Sequence, residues 1–183
     1  MRQIKLFKDD EKAFGGSLMT TVKGRLGGRP LATRKTMHLI LRSSQAHGDF
    51  SFKKPCHERK IKLIITKFSQ KYGVKIYSLA NVGNHLHFQI KLSNRHAYYA
   101  FIRAITSAIA MAVTGASRWN PIKKSTKFKG SFWDRRPITR VVIGKKAFLN
   151  LRDYILLNQL EGFGIDKNRG RFLIKMNPLL RTD

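Results

Sequence analysis

An α+β domain with the element order β-α-β-β-α-β, followed by one further helix, is the fold class this sequence predicts. Three observations predict it. Four short runs, TMHLILRS, VKIYSLANVG, HLHFQIKL and PITRVVI, have the length, β-branched content or alternation of strands. Three longer runs place apolar residues at helical spacing. Glycine, proline or asparagine punctuates the joins between them.

The first strand begins at Thr36, with Met37, Leu39 and Leu41 on one face. A loop containing Gly48 and Asp49 leads to Pro55. The run CHERKIKLIITKFSQKYG predicts a helix, because Ile61, Ile64, Ile65 and Phe68 fall on one side and Gly73 is a stop. VKIYSLANVG and HLHFQIKL form a hairpin that turns at Gly83-Asn84. A second helix runs from about Arg95 to Val113 and stops near Gly115. PITRVVI is the fourth strand, and the last helix spans about Lys145 to Leu160, ending at Gly162. This split β-α-β order is the ferredoxin-like arrangement.

Around that core, residues 36–162, lie two basic extensions. Residues 1–35 carry Gly15-Gly16, Gly27-Gly28 and Pro30, a composition that opposes regular structure and reads as a flexible arm. Residues 163–183 read as an irregular basic tail. Lys and Arg number 37 against 10 Asp and Glu, a net charge of +27. Such an excess attracts polyanions, and release of condensed counterions makes nucleic acid the leading partner. An anionic membrane is the weaker alternative. The most apolar stretch, Ala97 to Val113, contains Tyr98, Tyr99, Arg103, Thr106 and Ser107 and falls short of the roughly 20 apolar residues of a spanning helix. Cys56 is the only cysteine, which excludes an internal disulfide and a cysteine-built zinc finger. The expectation is a cytoplasmic protein that meets nucleic acid.

The most basic block, Ala116 to Lys146, interleaves Lys127, Lys129, Arg135, Arg136 and Arg140 with Phe128, Phe132 and Trp133. Rings that stack bases beside cations that track phosphates suit a single strand. An equally weighted reading makes Phe132 and Trp133 core residues and the cations a solvated face. Arg25, Arg29 and Arg34 on the arm are candidates for contacting a groove or guide sequence, against a plain solvated tail.

His85-Leu86-His87 is the motif closest to chemistry. Strand alternation projects both imidazoles to one face and Leu86 to the other. Paired neutral imidazoles bind Mn²⁺, Zn²⁺ and, with oxygen co-ligands, Mg²⁺. By itself the pair reads more often as two hydrogen-bonded sheet histidines. On the last helix Phe148, Leu151, Ile155 and Leu156 form an apolar side, and Tyr154 and Asn158 share a face at i, i+4. Gln159 is turned away from Tyr154 by about 140°. Asn158 can offer an amide oxygen to a metal and Tyr154 a phenol beside it, although this helix taken alone reads more often as a boundary tyrosine with a solvated asparagine. A phenol near a cation that grips phosphate can attack phosphorus and form a covalent phosphotyrosine. His38, His47, His57 and His96 have no comparable partner along the sequence and read as ordinary surface or core histidines.

With these residues in hand, the chain resembles the HUH single-strand DNA endonucleases, and within them the single-tyrosine transposases, particularly the REP-associated tyrosine transposases of bacteria. The resemblance spans about Arg29 to Gly162. It is carried by RPLATRKTMHLILRS, YSLANVGNHLHFQIKL, FKGSFWDRRPITRVV and RDYILLNQLEGFG. It implies His85 and His87 as ligands of Mg²⁺ or Mn²⁺, Asn158 as third ligand, and Tyr154 as the nucleophile that cuts single-stranded DNA. The products implied are a 5′-phosphotyrosine and a free 3′-OH. Asn at position 158, where the insertion-sequence branch commonly has Gln, sides with the REP-associated branch. The Asn-Pro that directly follows the tyrosine motif in many relatives is missing here. The implied partner is single-stranded DNA with a hairpin or palindrome, met by a monomer or a homodimer on the bacterial nucleoid.

Three other readings compete. A non-catalytic single-strand RNA- or DNA-binding module could use the same ferredoxin-like sheet, and KGSFW faintly echoes the RNA-binding strand motif. A replication initiator or relaxase of the HUH type would be larger. An α/β-barrel hydrolase needs about 250 residues.

Overall fold

The computed structural model describes residues 30–116, 131–134 and 136–177, together with the backbone of Phe14 and Gly15. Arg25, Arg29, Lys127, Lys129 and Arg135 lie outside the described residues. In chain order the elements are β1 (Phe14–Gly15), β2 (Thr36–Arg42), α1 (Pro55–Lys71), β3 (Lys75–Asn81), β4 (His85–Lys91), α2 (Arg95–Thr114), β5 (Ile138–Val142), α3 (Lys145–Gly162) and α4 (Lys167–Met176). A single 3-10 turn at Gly48–Phe50 precedes α1.

The strands form one sheet in the order β1-β5-β2-β4-β3, with antiparallel neighbours throughout. Without β1 this is the ferredoxin-like order expected from the sequence. The seven expected elements begin and end within two residues of their predicted limits. Local chemistry explains the boundaries. Pro55 opens α1, where its missing N–H costs nothing. The Asn94 side chain accepts the Ala97 N–H at 2.8 Å to cap α2. Gly115, at φ 73°, closes α2 in the left-handed conformation that glycine adopts without strain.

Two expectations are corrected. The tail is not irregular, because it contains α4. Asp166 caps this helix by accepting the N–H groups of Asn168 and Arg169. Those two bonds stabilise the carboxylate and hold its pKa below the usual value. Gly170 and Ile174 are buried, Gly170 against Leu157 of α3. The arm is not wholly without regular structure either. Phe14 and Gly15 pair with Arg140 and Thr139 on the edge of β5, and Leu31 and Ala32 pack on the core.

The core lies on one face of the sheet. Met37, Leu39 and Leu41 of β2 and Leu86, Phe88 and Ile90 of β4 meet Ile61 and Ile65 of α1 and Phe101, Ile105 and Ile109 of α2. Each such side chain contributes about 1.5–3 kcal/mol by leaving water. By length and composition α2 alone among the described helices could cross a membrane. Here its stripe Ala97, Tyr98, Phe101, Ile105, Ile109 and Val113 is buried. Helix α3 packs across β3 and β4. It is anchored by Ile155, which is buried, and by contacts to residues on the face opposite the core.

Candidate active site

The alternation that buries Leu86, Phe88 and Ile90 sends His85, His87 and Gln89 to the other face of β4. On β2 the same rule sends His38, Ile40 and Arg42 to that face. Register then brings the residues together. Arg42 stands opposite His85, Ile40 opposite His87, and His38 opposite Gln89 on one side and Arg140 of β5 on the other.

Gln89, fully buried, positions the helix above. Its amide nitrogen donates to the Phe148 carbonyl at 3.1 Å, and its amide oxygen accepts from the Ser78 hydroxyl at 3.1 Å. Tyr77 meets the Phe148 ring edge-on, with centroids 5.2 Å apart. At its far end α3 passes so close to β3 that a Cβ on Gly162 would lie 3.2 Å from the Asn81 carbonyl oxygen. Between these anchors Tyr154 is carried over the histidines of its own chain. Its ring lies edge-on to His87 at 5.6 Å and to His38 at 5.9 Å, centroid to centroid. Tyr154 is 47% exposed, so the phenol is accessible to a large substrate.

The imidazoles are neutral at physiological pH. Burial lowers the His87 pKa to about 3, assisted by His85 and His38 beside it. Burial and the Arg140 charge lower that of His38 to about 4. Burial and Arg42 lower that of His85. The tautomer of His85 follows from a contact between its Nδ1 and Asn84 Oδ1 at 2.5 Å. An amide oxygen only accepts, so His85 carries its proton on Nδ1 and leaves Nε2 as a lone pair. His87 Nδ1 lies 3.1 Å from His38 Nε2, and His87 Nε2 is buried with no hydrogen-bond partner.

This donor set fits a divalent cation: two neutral imidazoles, one with an orphaned buried nitrogen, below a helix bearing a phenol and an amide. Among the described residues no group of three or more His, Cys, Asp and Glu could enclose a metal. A cation held here would keep positions open for oxygen donors. Asn158 sits about one helical turn beyond Tyr154, half-buried, and its amide nitrogen donates to the Tyr154 carbonyl at 2.7 Å. That bond uses the nitrogen and not the oxygen. No hydrogen bond joins Asn158 to the histidines among the described residues.

Sequence reasoning missed His38 and Arg42. The structure corrects the reading of His38 as a histidine without a partner. The signal was present in TMHLILR, where the residues alternating with Met37, Leu39 and Leu41 had to share a face. Which strand that face would meet is set by tertiary register. For Phe132 and Trp133 the contacts are those of the core: both rings pack against Phe52, at 6.1 and 5.7 Å, and the indole N–H donates to the Thr106 carbonyl of α2 at 2.9 Å. Arg34, Arg136 and Arg140 are exposed. Of these, Arg140 shares the histidine face.

The sequence matches a protein family described as "Transposase IS200 like" over residues 33–158. That span begins just before β2 and ends on Asn158. No curated protein sequence matches the chain. Among solved structures it is similar to a REP-associated tyrosine transposase bound to a REP hairpin. The TM-score is 0.58 at 14% identity, covering 75% of this chain and 74% of that one. It is also similar to a transposase-assigned protein of Deinococcus radiodurans, with a TM-score of 0.45 at 18% identity, covering 73% of this chain and 95% of that one. The first likeness, at that identity, speaks for the α+β fold with its antiparallel sheet. The family match covers well over half of the chain and every residue of the histidine–tyrosine site, and on that ground the protein belongs to the IS200-like transposase family and is an enzyme of DNA transposition.

Proposed function

We propose that the protein is a metal-dependent single-strand DNA endonuclease and strand transferase that cuts near DNA hairpins with Tyr154 as nucleophile, on the nucleoid of a bacterial cell. One observation carries this reading. Tyr154, accessible to solvent, stands edge-on to His87 within the same chain, and the Nε2 of that imidazole is buried without a hydrogen-bond partner. His85, His87 and the Asn158 amide would hold Mg²⁺ or Mn²⁺, which when bound supplies positive charge to a non-bridging phosphate oxygen. The relative described as bound to a REP hairpin supports a hairpin as partner.

The chain's own residues then have defined tasks. Arg42 and Arg140 flank the histidine face and attract the phosphate backbone. Tyr154 Oη attacks phosphorus, forming the tyrosine–phosphate bond as the P–O3′ bond breaks. The phenol proton passes to water, and the departing O3′ takes a proton from water to leave as a 3′-OH. The covalent bond keeps the phosphodiester energy, so a 3′-OH can later displace Tyr154 and rejoin strands without ATP.

The binding-module alternative fits less well. Such a module offers an open sheet face to RNA, whereas α3 crosses this face over β3 and β4. The test mixes protein, Mn²⁺ and an end-labelled single-stranded hairpin from DNA flanking the gene. The expected result is a covalent protein–DNA species on a denaturing gel, abolished by EDTA. RNA and DNA binding indifferent to EDTA, with no covalent species, would favour the module.

A further inference from the structure

We propose that His38 is a positioning residue of this centre: its Nε2 accepts the Nδ1–H of His87 and so holds that imidazole in the tautomer whose Nε2 is a free lone pair. The inference rests on the metal-binding reading of His85 and His87 and goes beyond it by assigning the group that prepares one ligand.

The ring geometry identifies the contact. The His38 and His87 centroids are 5.4 Å apart and their planes differ by 19°, while the facing nitrogens are 3.1 Å apart. The difference between the two distances is about two imidazole radii, so both nitrogens lie near the line joining the ring centres. The rings therefore meet edge to edge and nearly coplanar. That is a hydrogen bond in the plane of the acceptor lone pair, not a face-to-face stack. Two ring nitrogens 3.1 Å apart along their in-plane directions share one proton, so one donates and the other accepts.

The surroundings select the direction. If His38 donated, His87 would carry its proton on Nε2, a buried donor with no acceptor in reach. With His38 accepting, Nε2 is a bare lone pair, the form a cation needs. His85 is already in that tautomer through Asn84. Two neighbours of different kinds, one adjacent in the chain and one on the next strand, thus leave the same nitrogen free on each histidine. A metal-ligating imidazole is ordinarily oriented through its other nitrogen, and loss of that partner weakens metal binding about 10–100-fold.

The first test needs no substitution. Long-range ¹H–¹⁵N correlation spectra of the metal-free protein are expected to show His87 protonated at Nδ1, and a His87 protonated at Nε2 overturns the proposal. The second measures Mn²⁺ binding by calorimetry on the full chain. His38→Phe keeps a flat ring but removes the acceptor, and is expected to weaken Mn²⁺ binding about 10–100-fold. His38→Gln, whose amide oxygen can accept, is expected to restore most of it, a rescue that a packing role would not predict. His87→Ala separates the layers. Wild-type Mn²⁺ affinity in His87→Ala overturns the metal reading itself. Loss in His87→Ala with wild-type affinity in His38→Phe overturns the role of His38 alone.

Discussion

The two faces of the sheet follow one rule and arrive at opposite chemistry. On the α1–α2 side, β2 and β4 present Met37, Leu39, Leu41, Leu86, Phe88 and Ile90, all apolar and all buried. On the other side the intervening residues of the same strands are His38, Ile40, Arg42, His85, His87 and Gln89, of which only Ile40 is apolar. A one-residue slip of register would exchange the two sets. The apolar face therefore fixes where the imidazoles stand, and the site needs no loop to aim it. The faces also carry different burdens: one supplies stability, the other gives some up by burying neutral imidazoles and an orphaned nitrogen.

The largest expected effect sets the faces apart most directly. Tyr154→Phe removes one exposed hydroxyl and is expected to abolish the covalent DNA species and strand cleavage. Stability should stay within about 0.5 kcal/mol, as for other surface changes. A covalent species surviving in Tyr154→Phe would remove Tyr154 from the mechanism. On the opposite face Phe88→Ala is expected to cost about 3–5 kcal/mol in denaturant unfolding through lost burial and a residual cavity. A loss below about 1 kcal/mol would show that the core can collapse around the gap.

The pattern of what the sequence revealed follows the same division. Local periodicity marks β2, β4 and α2 because each buries an apolar stripe, and α3 by an apolar side of which Ile155 alone is fully buried; it marks His85, His87, Tyr154 and Asn158 because each pair is close in sequence. His38 escaped because its partner lies 49 residues away, across a strand pair whose register no local pattern states. Helix α4 escaped because one of its two buried positions is Gly170, which gives no apolar signal. Its cap, Asp166, is an observation of the structure and was not read from the sequence. The strand at Phe14–Gly15 is two residues long and half glycine, so it too carries no pattern.

Acid should destabilise the protein through the histidine face while leaving the apolar face indifferent. His38 and His87 titrate at about 4 and 3 when folded, against 6.5 when unfolded. Their depressed values mean that the unfolded chain takes up protons first. Stability is therefore complete above about pH 6.5 and falls as pH is lowered toward the folded values. Between pH 7 and pH 5, above most carboxylate titrations, the loss in metal-free protein is at most about 2 kcal/mol per histidine. His38→Phe is expected to flatten this slope, whereas Phe88→Ala should lower the whole curve without changing it. An unchanged slope in His38→Phe would mean that this imidazole is solvated or protonated in the folded state.

The smallest effect concerns Trp133, which sequence reading left divided between the two kinds of surface. Its ring packs on Phe52 and its N–H is tied to the Thr106 carbonyl of α2, contacts that belong to the apolar face. Trp133→Phe keeps a ring for Phe52 and removes only the donor. Because Thr106 lies in the middle of α2, its carbonyl already belongs to the helical ladder, so no acceptor is left stranded in the variant. The expected cost is therefore that of one ordinary hydrogen bond, about 1 kcal/mol. Affinity for single-stranded DNA should not change, since the ring packs on Phe52 and is tied to α2 through its N–H. A drop in DNA affinity with unaltered stability would instead place Trp133 on the nucleic-acid path. The basic block Ala116 to Lys146 would then read the strand through its rings as well as its charges.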